Sequence, residues 1–457
     1  MFIDCSEILW PNPTQLNYGI SVCDPEGKGD FCLAVCGFGF PNQLYRKTEH
    51  GFEDSAEEQF AKENHQAIGL AAADFDGDGG EELYILNTDV FMGPKRFTDH
   101  LFDLERGSWR DLFDIDENAA VLNLMAGRSV CCLDRLQTGQ YSFYIANYGG
   151  PNALFELNQH GIVVDRAEEL GLDITAGGRS LLSFPVDQAS TAIYAANENS
   201  PNCFFIKNPN SSDYLNRAEE LGLTDFNKHA RGVALLDCGE QFGIVCGNWE
   251  GPHRLFIPRQ ISQGGWKFED QATKDFSIPT RIRTVIVADF DNDGYEEIFM
   301  NNIGQPNRLF AYREGMWKAI DPGNAMEPRG FGTGGAVGDF NQDGRLELVL
   351  AHGEMVPQPL TCYTTRSNNH HFFRVRPCTK AGAPARGALV KLLSEGRWQR
   401  RVIDGGSGYL CQMEPVAHFG LGKARSIDRV EVFFPTGEQQ VIENLECDEM
   451  ITLQATK

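Results

Sequence analysis

No apolar run in the sequence approaches the ~18 residues needed to cross a bilayer as a helix, which excludes a helical membrane span. The opening residues Met1, Phe2, Ile3, Asp4 and Cys5 contain no basic stretch leading into an apolar one, so the chain as given reads as soluble and uncleaved. Positive charge is in short supply. Against 64 Asp and Glu stand 40 Lys and Arg, a formal net charge of −24. Such a field repels phosphate backbones and anionic headgroups, removing nucleic acid as a partner, and it attracts cations. HExxH and the phosphate-binding P-loop are also missing, and GGSGY at 405–409 is no nucleophile elbow, because Gly does not stand two residues after its Ser. There is no CxxC pair at zinc spacing. The 13 cysteines, several in strand-like apolar runs (Cys32, Cys36, Cys131, Cys132, Cys246), read as reduced core thiols.

What is abundant points elsewhere. With 48 Gly and 31 Phe among 457 residues, the chain is rich in turn formers and strand-favouring aromatics, and it is too long for one ordinary core. Laid on itself it repeats about every fifty residues. An apolar strand ends in Asp, a polar turn follows, then a second apolar strand. Next comes Pro with Asn, Gly or His, and a third strand ending in aromatics. Seven Asp anchors mark the copies: Asp24, Asp74, Asp134, Asp187, Asp237, Asp289 and Asp339. A fourth strand closes each unit on an Asp-x-Ala turn or a variant of it, as around Phe52, Ile162, Tyr214 and Phe268. Four strands per unit, seven times over, predicts an all-β fold, a seven-bladed β-propeller spanning 1–365. The last unit lacks its outer strand. Phe2, Asp4, Ser6 and Glu7 echo Phe52, Asp54, Ala56 and Glu57 in spacing, so residues 2–5 are expected to complete blade seven.

Three of the seven turns are oxygen-rich. They are Asp74, Asp76, Asp78 and Glu82; Asp289, Asp291, Asp293 and Glu297; and Asp339, Asn341, Asp343 and Glu347. Alternate residues in a tight loop aim their carboxylates at one centre, and Gly79, Gly294 and Gly344 permit the bend. The seventh loop position, Gly80, Tyr295 or Arg345, would add its backbone carbonyl. The closing acid comes at position nine and strands flank the loop, unlike the helix-flanked EF-hand. About three structural Ca2+ sites are therefore expected. The other turns keep the first Asp and lose most of the oxygens, and Lys28 is expected to place its ammonium where a cation would sit.

Residues 366–457 alternate in short strands (FFRVR, ALVKLL, RRVI, RVEVFF, QVIENL, MITLQ), enough for a small C-terminal β-sandwich. His418 and the pair His370 and His371 read as packed residues rather than ligands, and Trp109, Trp249 and Trp317 as the aromatic candidates for a binding patch.

The blades resemble the FG-GAP/VCBS repeats of integrin α-subunit heads and many bacterial proteins. The tail resembles an ASPIC/UnbV domain through Ala385 to Ala388, Gln399 to Val402, Gly405 to Tyr409, Cys411-Gln412, His418 to Gly422 and Val430 to Gly437. Together they resemble the cartilage acidic protein 1 family and its bacterial homologues. Cys411 stands where that family usually has Ser, and no EGF-like module follows. The resemblance implies a calcium-stabilised propeller packed against a small β-domain, acting as a scaffold or adhesion-type binding protein for a protein or glycan partner. A lectin-like module is the alternative, a propeller hydrolase a more distant one, and a monomer the expected state. The compartment stays open between the absent leader and the extracellular habit of the animal members.

Overall fold

In a computed structural model, described over residues 1–62, 65–186, 190–261 and 265–457, antiparallel four-stranded sheets follow one another around a common axis. Blade one runs outward from Asn17–Cys23 through Cys32–Gly37 and Gln43–Thr48 to Gly51–Asp54, with Leu9–Trp10 added in parallel at its edge. Blades two to six begin at Ala67–Ala73, Gly127–Leu133, Thr175–Pro185, Ala230–Asp237 and Ile282–Ala288. Blade seven takes Gly332–Gly338, Glu347–His352 and Thr361–Thr365 from one end of the chain and Phe2–Asp4 from the other, in the register Phe2 to Thr365. Each inner strand packs on the next, and that of blade seven packs on that of blade one, closing the circle. Of the Asp anchors, Asp187 lies outside the described residues.

The repeated motifs have local causes. In the Pro-Asn connection the Asn side chain accepts the N–H that ends the second strand. Asn42, Asn152, Asn202 and Asn307 do this at 3.0, 2.9, 2.8 and 2.7 Å, and His253 substitutes through Nδ1 at 3.1 Å. In the Asp-x-Ala turn one carboxylate oxygen takes two backbone N–H groups, as Asp54 does from Leu44 and Ala56 and Asp270 from Leu255 and Ala272. Crowding at the axis selects glycine in the inner strands. A Cβ on Gly232 would lie 2.4 Å from the Val285 nitrogen. Between blades the core is aromatic: Tyr84 meets Phe155 at 5.9 Å, and Phe2 packs edge-on against Phe290 at 4.9 Å. Fully burying such a Phe contributes about 2–3 kcal/mol, which anchors the closing strand.

The C-terminal domain is a sandwich of two sheets. One holds Ala417–Gly422, His371–Cys378 and Glu449–Gln454; the other holds Arg397–Val402, Leu389–Ser394, Ser426–Phe433 and Gln439–Glu446. Phe373, Val390, Phe419, Val430 and Val432 fill the space between them. The HFGLG segment is a largely buried strand, because its alternate residues feed this core. No helix among the described residues is long and apolar enough to cross a membrane.

Candidate metal loops at the domain interface

Each acidic loop joins the end of an inner strand to the second strand of its blade, and all three are wound by the same bonds. The position-five carboxylate accepts the N–H of position seven: Gly80 to Asp78 at 2.8 Å, Tyr295 to Asp293 at 2.8 Å and Arg345 to Asp343 at 2.9 Å. The closing Glu accepts the N–H of position two, from Phe75, Phe290 and Phe340. These bonds turn the remaining carboxylate oxygens inward.

In the first loop, ligand oxygens of Asp74, Asp76 and Asp78 lie within 4.8 Å of one another, and in the second those of Asp289, Asp291 and Glu297 do. Asp74 Oδ2, Asp289 Oδ1 and Glu297 Oε1 are buried with no hydrogen-bond partner among the described residues. Burial first, then the carboxylates of Asp76 and Asp78, push Asp74 up to about 7 against the pull of the Gly77 N–H. Burial and the same pair raise Asp103, on the neighbouring strand, to about 6. Burial and crowding likewise raise Glu82 and Glu297 well above the carboxylate range. In the second loop Arg313 reaches Asp293 at 2.8 Å and Asp291 at 3.2 Å and offsets part of the charge.

The third loop differs. Asp339, Asp343 and Glu347 form no such group among the described residues, and none of their oxygens is left buried without a partner. Arg374 lies 3.1 Å from Asp339, Arg345 pairs with Asp343, Thr364 donates to Glu347 at 2.9 Å, and the Asn341 amide reaches Glu347 at 3.4 Å. In the degenerate turns the lead Asp collects backbone N–H groups instead, as Asp134 does from Thr138 and Gly139. Lys28 does not fill a cation's place. Its side chain is 65% exposed and pairs with Glu26, since Asp24 is already satisfied by the Lys28 and Gly29 N–H groups.

The C-terminal domain covers the face that carries these loops. Gly420 N–H bonds Asp289 at 3.1 Å, and the His418 imidazole meets Asn292 at 2.7 Å. Arg386, fully buried, reaches Glu81 at 2.7 Å, and Arg401 reaches Glu296 at 3.3 Å. From this domain, residues 404–414 descend the propeller channel as a loop that bonds every blade. Gln412 exchanges bonds with Ile20 and Val22 of blade one, and its side-chain amide with Ala72 of blade two. Gly405 accepts from Cys132 of blade three, and Gly408 from Ser180 of blade four and Val233 of blade five. Thr284 of blade six accepts the Tyr409 N–H, and Val337 of blade seven the Glu414 N–H. The channel is thereby plugged.

Of the other residues marked in the sequence, His371 gathers with Cys447 and Asp448 in a partly exposed group, whereas His370 bonds the Asp291 carbonyl at 2.7 Å. Trp109 is buried in a blade core, Trp317 is half-buried, and Trp249 stacks under Arg283 with 4.3 Å between guanidinium and ring centre. All 13 cysteines are free thiols, none in a disulfide. Sequence reasoning passed over Asp103 and the plug. Arg386 and Arg401 stand in the sequence only within the segments that carry a resemblance, and one signal of their role is present: cations in an acidic chain, set in an otherwise strand-like segment.

A closed ring of four-stranded blades with acidic turns, capped by a sandwich that plugs it, defines a propeller scaffold of the FG-GAP type. The FG-GAP-like repeat model matches residues 289–350, and the ASPIC and UnbV model matches residues 379–457. The chain is 43% identical over 465 residues to cartilage acidic protein 1 of Xenopus tropicalis, covering 93% of this chain and 71% of that protein. It is 42% identical over 477 residues to the Homo sapiens protein, covering 96% and 72%. The chain belongs to the cartilage acidic protein 1 family. Among solved structures, the Cps50 (Swd1) β-propeller domain of Myceliophteria thermophila superposes with a TM-score of 0.48 at 9% identity, covering 78% of this chain and 98% of that domain.

Proposed function

We propose that this protein is a calcium-braced binding scaffold rather than an enzyme, in which hard cations at the first two acidic loops fix the face on which the C-terminal domain sits. The observation that carries this reading is the set of buried carboxylate oxygens on Asp74, Asp289 and Glu297 that have no hydrogen-bond partner among the described residues. A buried carboxylate oxygen facing other carboxylates is costly unless a proton or a cation meets it. The donors are all hard oxygens, which suits Ca2+. Asp74, Asp76, Asp78 and Glu82 would hold one ion, and Asp289, Asp291, Asp293 and Glu297 a second, with the Gly80 and Tyr295 carbonyls as further donors. Asp339, Asn341, Asp343, Glu347 and the Arg345 carbonyl would form a weaker third site, because Arg374 and Arg345 already serve its acids.

The ion's contribution is charge neutralisation. The chain's own contribution is the bond pattern that fixes the loops and, through Gly420 and His418, ties the second loop to the capping domain. The partner is a protein or a glycan, met on surface outside that covered face. Calorimetric titration of the chelated protein tests the metal reading: two tight calcium sites are expected, reduced to one in Asp74→Asn and in Asp289→Asn and unchanged in Asp339→Asn. Absence of calcium binding, with the melting curve unmoved by chelator, refutes it. A glycan array run with calcium separates the two partner classes.

A further inference from the structure

The mouth of the channel opposite the capping domain carries an arginine ring that the scaffold reading leaves unused. Four inner strands place an Arg at the same position near their start: Arg128, Arg179, Arg231 and Arg283, from blades three to six. They surround a cavity of about 310 Å3, with Tyr409 and Leu410 of the plug also lining it. Each is at most 8% exposed. Aromatic faces hold them: Arg179 lies 4.5 Å from the Tyr148 ring centre and 5.2 Å from Phe91, and Arg283 lies 4.3 Å from Trp249.

Two carboxylates answer the four cations. Glu198 pairs with Arg179 and Arg231, and Glu354 with Arg283. Asp89 lines the cavity but is engaged by Arg96, and among the described residues Arg128 hydrogen-bonds only the carbonyls of Val90 and Phe91. Positive charge is left in excess by two. Arg128 Nε and Arg283 Nη1 are buried donors with no hydrogen-bond partner among the described residues. The potential also registers on Tyr409: burial alone would raise its phenol, yet Arg179, Arg283, Arg231 and Arg128 together lower it. A set of largely desolvated guanidinium groups carrying surplus charge matches a tetrahedral dianion, which accepts several N–H bonds at once.

We propose that this mouth is a binding site for a small tetrahedral oxyanion, a phosphate or sulfate group on a compact carrier, held by Arg128, Arg179, Arg231 and Arg283 above the plug tip. A net charge of −24 repels an extended polyanion, whereas a single small dianion fits a cavity with room for about ten waters. The proposal is independent of the metal reading, since the ring lies at the opposite ends of the inner strands from the acidic loops.

The test is isothermal titration of the full chain with inorganic phosphate and with sulfate, in calcium-free buffer, against chloride at matched ionic strength. Saturable one-to-one binding of either oxyanion is expected. Arg128→Gln, which strands no carboxylate, weakens it about tenfold or more while the anion-free melting curve stays in place. Arg283→Lys keeps the charge but not the fork and weakens it less than Arg128→Gln. Phosphate bound more tightly than sulfate assigns a protonated oxyanion donating to Glu354; equal binding assigns a dianion recognised by charge. Absence of saturable heat with both anions, or equal affinity in the wild type and both variants, overturns the site.

Discussion

Arg386 is the point where the capping domain, the plug and two blades meet, and its removal can be worked through from contacts. Its guanidinium bonds both Glu81 oxygens at 2.7 and 3.2 Å and the carbonyls of Val22 at 2.8 Å and of Asp404 and Met413 at 3.0 Å each. Both partners have fully buried side chains. Burial opposes the charge on Arg386, but Glu81 beside it holds the guanidinium above its ordinary value. Arg386→Met keeps the stem and removes the charge. Glu81 then retains the Asp24 N–H at 2.7 Å and loses its cation, and three buried carbonyls lose a donor. Stranding a buried carboxylate costs about 3–5 kcal/mol. Glu81→Gln costs a similar amount for the mirror reason. The double variant removes both charges, so its loss should fall short of the sum by ~2 kcal/mol or more. Urea denaturation at fixed calcium, followed by tryptophan fluorescence and far-ultraviolet circular dichroism, measures each corner of the cycle where the two probes coincide. A single-variant loss under about 1 kcal/mol, or an additive double variant, refutes the claim that this pair clamps the domains.

Other outcomes follow from the same contacts. Asp74 is raised to about 7 and Glu347 to about 8 by burial first, so the metal-free protein holds these protons where the unfolded chain does not. Its stability therefore falls as pH rises from the ordinary carboxylate range through those values, and calcium, which needs the ionised forms, raises the melting temperature more at pH above 8 than at pH near 6. Equal calcium-induced shifts at the two pH values would sink that linkage. Deleting residues 1–10 removes Phe2–Asp4 from blade seven and should lower the melting temperature and open the ring to protease; an unchanged melting curve counts against closure by this strand. Gln412→Ala leaves both backbone groups of Ala72 and the Ser21 hydroxyl without partners in the channel, an expected loss of about 2–4 kcal/mol by denaturant titration, and a loss within error contradicts the described plug.

The propeller was legible because its determinants are local and repeated. Asn152 and Asn202 each close a turn with a bond spanning five residues, and Asp165 and Asp270 each bond within their own blade, so every copy carries its own signature. The acidic loops were legible for the same reason. What escaped was long-range. Whether a carboxylate is left for a cation depends on Arg374 reaching Asp339 and Arg313 reaching Asp291, contacts that no spacing within the loop announces. The segment 405–409 is no nucleophile elbow and Cys411-Gln412 reads only as part of a motif, yet the role of 405–412 lies in bonds to six inner strands more than a hundred residues away. The arginine ring had a partial signal in phase, since Arg128, Arg231 and Arg283 each stand six residues before the Asp anchor of their copy, whereas Arg179 is out of step.

The pairing that completes blade seven sets an order of events. Cys5 and Cys362 face one another at 3.5 Å across 357 residues of sequence, so the first strand waits without a mate until almost all other blades exist. Gathering such distant ends is a slow, high-separation step, and the filling of the axis comes later still, from residues made after the ring. During synthesis the nascent propeller thus passes through an interval as an open, hollow crescent with one exposed sheet edge, the stage at which a chaperone or a second crescent would find it.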